Sequence, residues 1–223
     1  MSADSSVSAP CILLLGGSFD PVHNGHIGLA RYFSTLLQPD TLRLIPAGQP
    51  WQKPELSTPA ADRVAMLKLA FADFALPVKI DEQEISRNGA SYTLDTLRAL
   101  RAELGQSASL ALIIGADQLQ NLHTWRNWQQ LFGYANLCVA TRPGYTVDQS
   151  GLDAGVAGEI TRRAASAAQI RATPCGLIYV ASNLALDISA SEIRQALQQG
   201  QATDELLPEA VLDYIQQHHL YRS

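Results

Sequence analysis

Short, nearly continuous apolar runs alternate along this chain with longer stretches whose apolar residues recur every three or four positions. The runs at 11–16 (CILLLG), 41–46 (TLRLIP), 77–80 (PVKI), 110–114 (LALII), 137–141 (LCVAT) and 177–181 (LIYVA) predict strands. They lack polar alternation, as strands covered on both faces do. Between them, Ile27, Ala30, Tyr32, Phe33, Leu36 and Leu37 form one helical stripe. Val64, Met66, Leu67, Ala70 and Phe71 form a second that begins near Ala60, and Leu94, Leu97, Leu100 and Leu104 share one face of a third over 92–104. Repeated strand–helix alternation predicts an α/β fold: a doubly wound, mostly parallel sheet of about six strands with helices on both faces. Ligands in such folds gather beyond the carboxyl ends of the strands, where the strand order reverses.

The remaining segments set the boundaries. Residues 1–10 (MSADSSVSAP) are small and polar and read as a loose tail. Residues 11–223 read as one domain, with a small helical C-terminal portion from about Ser182. Segment 47–59 is a proline-rich loop after the second strand, and 144–158, glycine-rich and acidic, is expected to be a flexible surface segment.

Composition narrows the class. A length of 223 residues suffices for a well-buried core, and 47% apolar with 17% charged residues is ordinary for a globular protein. The net charge of -5 argues against a nucleic-acid coat, so a phosphate ligand would need locally placed cations and backbone donors. Cys11, Cys138 and Cys175 are few, odd in number and widely spaced, which fits reduced thiols in a cytoplasmic protein. No apolar stretch reaches the length of a membrane span, and the first residues lack the basic start of a signal peptide.

The chemistry concentrates directly after the first strand, in GGSFDPVHNGH at 16–26. Two glycines allow a sharp turn and a close backbone approach to a ligand. His23 and His26 stand three apart at the start of a helix, so both can face one side. The helix terminus adds free amides and partial positive charge, an anion site. No third and fourth ligands at matching spacing support a zinc site. Near the other end, ISASEIR at 188–194 places Ser189 as a helix N-cap, with amides pointing outward and Arg194 able to reach an anion.

GGSFDPVHNGH resembles the nucleotidyltransferase signature G-G-[ST]-F-D-P-x-H-x-G-H, and ISASEIR resembles I-S-S-T-x-I-R. EISRNGASYTLDTL at 84–97 is similar to E-[LI]-x-R-x-G-x-S-Y-T-x-D-T-L, and Gly115, Ala116 and Asp117 followed by Trp125 resemble G-A-D-x(7)-W. Residues 45–53 occupy the place of I-P-x(3)-P-P-H-K. Together these resemble the nicotinate/nicotinamide mononucleotide adenylyltransferase family, a Rossmann-like group, from about Cys11 to the end of the chain.

The resemblance implies transfer of the adenylyl group of ATP to nicotinate mononucleotide, in NAD biosynthesis. It implies that His23, His26 and Arg194 act at the reacting phosphates. It assigns ATP to Gly16, Gly17, Ser18, Phe19, Gly25, Gly115, Asp117, Ile188, Ser189 and Ser191. It assigns the mononucleotide to Lys53, Ser91, Tyr92, Thr93, Trp125 and Arg142, with Trp125 stacking on the pyridine ring. Magnesium would arrive with ATP; neither nucleic acid nor membrane is an expected partner. Ser18 stands for the commoner threonine, Ala190 and Ser191 stand for Ser and Thr, and Gln52 stands for the histidine beside Lys53. The alternatives are a preference for nicotinamide over nicotinate mononucleotide, which turns on a few amides near Tyr92, a phosphopantetheine adenylyltransferase, which shares the first signature but lacks the SYTxDTL and GAD…W blocks, and a non-catalytic nucleotide sensor.

Overall fold

A computed structural model of the chain describes residues 9–50, 56, 58–141, 151–181 and 188–222. Six strands form the main sheet: β1 (Cys11–Gly17), β2 (Thr41–Pro46), β4 (Val78–Ile80), β6 (Ser109–Gly115), β7 (Asn136–Ala140) and β8 (Ile178–Ala181). Two further strands, β3 (Gln49–Pro50) and β5 (Ala90–Ser91), pair with each other apart from it. The main sheet is parallel throughout, in the order β4-β2-β1-β6-β7-β8. Counting only its own strands this is 3-2-1-4-5-6, so the order reverses between β1 and β6.

Every strand run expected from the apolar pattern is present; the inner strands feed two cores, while the edge strand β4 packs Val78 and Ile80 on one and leaves Lys79 exposed. Leu13 and Leu15 of β1 point to one, with Leu42, Leu44, Ala111 and Ile113. Ile12 and Leu14 point to the other, with Leu110, Leu112, Leu137 and Val139. That two-residue alternation between two apolar layers is why the sequence shows unbroken runs. Arg43 is the exception inside β2. It is buried, and its guanidinium pairs with Asp81 at 3.1 Å and Glu103 at 2.7 Å.

Helices cover both faces. On the first lie α1 (Asn24–Leu37), α2 (Ala60–Ala70), α6 (Ala167–Ala172), α7 (Ala190–Gln198) and α8 (Glu209–Gln217), which supply Phe33, Met66, Ile170, Ile193 and Val211 to one core. On the second lie α3 (Thr93–Leu104), α4 (Ala116–Gln120) and α5 (Ala154–Arg163), which supply Leu97, Leu119 and Ile160 to the other. Among the described residues no helix is long and apolar enough to cross a membrane.

Two expectations need correction. The glycine-rich stretch that was to be flexible through Gly158 contains the start of α5, whose N-cap Asp153 accepts from the amides of Gly155 (2.9 Å) and Val156 (3.3 Å). Val156 and Ile160 then bury one face of that helix, which outweighs the glycine cost. At the start of α7, Ser189 holds the N-cap position but its side chain makes no capping bond. The first amides of α7 are therefore not closed off by that hydroxyl.

Candidate active site

β1 carries Gly16 and Gly17 to the carboxyl edge of the sheet, and β6 ends beside it at Gly115. A cavity of about 290 Å³ opens where these edges meet, at the reversal of strand order. Gly16, Gly17 and Ser18 line it from the first turn, His26 and Leu29 from α1, and Ala47 from the segment after β2. Ser91, Thr93, Thr96 and Leu97 line it from α3 and the residues before it, together with Glu84. Gly115, Gln118 and Trp125 complete it after β6, and Leu15, Ile45, Leu112, Ile113 and Ile114 carry it into the apolar layer.

The two histidines divide their positions. His26 lines the cavity, while His23 is 5% exposed and is absent from the lining. Their rings lie 3.7 Å apart, and the His23 amide donates to His26 Nδ1 at 3.3 Å. The expectation that both imidazoles converge on one anion is thus corrected: as N-cap, His23 has an extended backbone that puts its ring behind His26. Burial pushes its pKa down to about 4, so the imidazole is neutral at neutral pH, and its Nδ1 has no hydrogen-bond partner among the described residues. Gly25 makes room for it, since a Cβ there would lie 2.9 Å from His23 Nδ1 and 3.3 Å from Ile188 Cβ.

Below this pair the turn is held from inside. Phe19 is fully buried with φ 48°, a left-handed conformation that costs a non-glycine residue about 1–2 kcal/mol. Its ring sits 3.3 Å from where a Gly17 Cβ would be and meets His26 edge-on at 4.9 Å. Only its main chain could therefore touch a ligand. Buried Arg63 of α2 donates to the Ser18 carbonyl at 2.7 Å. Arg194 of α7 donates to the Asp20 carbonyl at 2.7 Å and to Ser191 Oγ at 3.2 Å. Tyr221 donates to the Asp20 carboxylate at 2.6 Å; burial and that carboxylate together push its phenol well above the usual range. The Asn24 amide donates to the Leu206 carbonyl at 2.9 Å. The C-terminal segment thus clasps the glycine turn, and Arg194 and Ile188 arrive beside it.

The other expected residues spread between wall and rim. Ser91, Thr93, Trp125 and Gly115 line the cavity, and the Trp125 indole N–H is buried without a partner among the described residues. Tyr92 stands outside the lining, half-buried under the Arg126 guanidinium at 4.7 Å from its ring centre. Asp117 is exposed and folds back over Gly115, where a Cβ would collide with its Oδ1. Ser189 and Ser191 lie outside the cavity lining, on the side of Arg194. Lys53 and Arg142 lie outside the described residues.

Several lining residues had escaped the sequence reading: Leu29, Glu84, Thr96 and Gln118. Helical spacing could have found two of them, because Leu29 follows His26 by three residues and Thr96 follows Thr93 by three. Glu84 belongs to the recognised 84–97 block, yet nothing local says that its carboxylate reaches a cavity. Burial raises its pKa, against the Thr96 hydroxyl that donates to it at 2.7 Å.

A doubly wound sheet with a glycine turn and histidine opening onto its switch point is the architecture of a nucleotidyltransferase, and the family model described as cytidylyltransferase-like matches residues 14–196. The chain is 57% identical over 96% of its length to a probable nicotinate-nucleotide adenylyltransferase of Herminiimonas arsenicoxydans, covering 97% of that protein. It is 45% identical to one of Laribacter hongkongensis, with 94% of each chain covered. In fold it is similar to the Plasmodium falciparum nicotinic acid mononucleotide adenylyltransferase complexed with NaAD, at a TM-score of 0.72 and 19% identity, covering 95% and 97% of the two chains. The chain belongs to the nicotinate-nucleotide adenylyltransferase family.

Proposed function

We propose that this protein transfers the adenylyl group of ATP to nicotinate mononucleotide, forming the deamido dinucleotide and releasing pyrophosphate. One observation carries the reading. A single cavity is lined on one part by the glycine turn and His26 and on another by Ser91, Thr93 and Trp125, so two phosphate-bearing ligands can meet inside it. The family relationship supports the same activity.

In this reading the mononucleotide phosphate attacks the α-phosphorus of ATP in line. That nucleophile is already ionised near neutral pH, so no general base is required, and catalysis reduces to positioning and charge stabilisation. Amides of residues 16–18 and the His26 imidazole would meet the phosphates. Arg194, anchored on Asp20, would swing to or stand beside the departing pyrophosphate. Trp125 would stack on the pyridine ring and the amides at the start of α3 would take its carboxylate. His23 contributes support and not charge, given its burial. Magnesium would come with ATP as part of the substrate and would supply positive charge to its phosphates; among the described residues no three His, Cys, Asp or Glu side chains group to hold a metal.

Incubating the protein with ATP, magnesium and nicotinate mononucleotide and measuring pyrophosphate tests the reading. Release with this acceptor, exceeding that with nicotinamide mononucleotide or phosphopantetheine, supports it. Release with phosphopantetheine alone would assign a different acceptor, and an ATP-induced rise in melting temperature without turnover would mark a sensor.

A further inference from the structure

Glu84 belongs to the cavity lining, and its carboxylate, held by the cavity-lining Thr96, is a group that the adenylyl transfer does not use. Its Oε1 accepts from the Thr96 hydroxyl at 2.7 Å. Arg87 reaches the same hydroxyl oxygen at 3.0 Å and spends its other nitrogen on Gln83 at 2.6 Å and the Asp95 carbonyl at 3.3 Å. Among the described residues Glu84 forms no ion pair; the Arg87 guanidinium favours its charged form without bonding to it, and Asp81 adds like charge in its surroundings. The cavity around it is otherwise largely apolar, with Leu97, Ile114 and Trp125 among its walls. Burial still outweighs Arg87 and the Thr96 hydroxyl at this carboxylate, so a further cation directly against it would be favourable.

The substrate of the proposed reaction carries one cationic group, the pyridine ring itself, whose nitrogen is quaternised by its bond to ribose. We infer that Glu84 is a specificity-determining residue that reads the positive charge of this ring, selecting pyridinium mononucleotides over neutral-ring analogues. This rests on the function proposed above and adds to it: the start of α3 would take the ring's carboxylate, Trp125 its face, and Glu84 its charge. Thr96 fixes the carboxylate in position, and Arg87, bound to the hydroxyl and not to the carboxylate, leaves it available.

The test compares dissociation constants of nicotinate mononucleotide and its 1,4-dihydro derivative, which keeps carboxylate, ribose and phosphate but has an uncharged ring. Calorimetry on the wild type should show the oxidised form bound at least about tenfold more tightly, given a charge pair a few ångströms apart in a partly dry site. Glu84→Gln, which keeps an oxygen for the Thr96 hydroxyl, should bring that ratio close to one. Thr96→Val, which keeps the carboxylate but removes the hydroxyl that fixes it, should weaken the preference without abolishing it. A wild type without preference for the charged ring overturns the inference by itself, so it does not depend on the variant folding. An unchanged ratio in Glu84→Gln, or tighter binding of nicotinate mononucleotide by that variant, overturns it as well, the latter by showing that Glu84 repels the ring's carboxylate. Where wild-type pyrophosphate release is normal, any of these results leaves the proposed function standing; where the wild type neither turns over nor binds nicotinate mononucleotide, both fall.

Discussion

Acid should destabilise this protein through His23, and the structure gives the size of the effect. The imidazole is 5% exposed and has a pKa of about 4 against an ordinary 6.5, because burial penalises its charged form. Between those values the unfolded chain holds a proton that the folded chain refuses, so stability falls as pH falls from about 6.5 towards 4. The gap corresponds to about 3 kcal/mol in full, of which about 2 kcal/mol is already lost at pH 5. With a urea slope of about 2 kcal/mol per molar, the midpoint of unfolding should drop by about 1 M between pH 7.5 and pH 5 on this account alone. Other groups titrate too, so the measurement is the difference between wild type and His23→Asn. Asparagine suits the N-cap position His23 occupies and carries no titrating group. The variant should lose about 2 kcal/mol less over the same interval. Equal losses in the two proteins would refute the reasoning, as would a nuclear magnetic resonance titration of His23 with a midpoint near 6.5.

Four further outcomes follow from the same geometry. Gly25→Ala, which would gain stability on an open helix surface, should instead lose about 1–3 kcal/mol and most turnover, because the new methyl would lie 2.9 Å from the buried His23 ring and 3.3 Å from Ile188 Cβ; a higher melting temperature would contradict this. His26→Ala should lower turnover at least about tenfold while melting close to wild type, since His26 stands at the cavity wall, and normal turnover would remove it from the reaction. Trp125→Ala should raise the Michaelis constant for the mononucleotide about tenfold and leave that for ATP nearly unchanged; equal changes in both would make Trp125 a packing residue. Tyr221→Phe should cost about 1–2 kcal/mol in thermal unfolding by removing a donor from the Asp20 carboxylate, with a higher Michaelis constant for ATP because Asp20 also anchors Arg194; no shift in either quantity would separate the C-terminus from the glycine turn.

The sequence by itself determined the strands, the stripes of α1 to α3 and the place of the glycine turn, because burial on one or two faces leaves a local period that can be read residue by residue. Its signature blocks also singled out His26, Ser91, Thr93 and Trp125, which line one cavity at the switch point. It did not reveal α5 inside a glycine-rich stretch, where a single Asp153 cap and two buried side chains outweigh composition. Only the docking of the helices decided that His23 lies behind His26 in its neutral form, that Tyr221 grips Asp20 across 201 residues of chain, and that Glu84 joins the cavity lining with Thr96 as its partner. These are questions of which side chains share a space once helices have docked. Periodicity records how much a residue is buried, whereas its neighbours, and hence its charge state, depend on packing between segments that no local pattern connects.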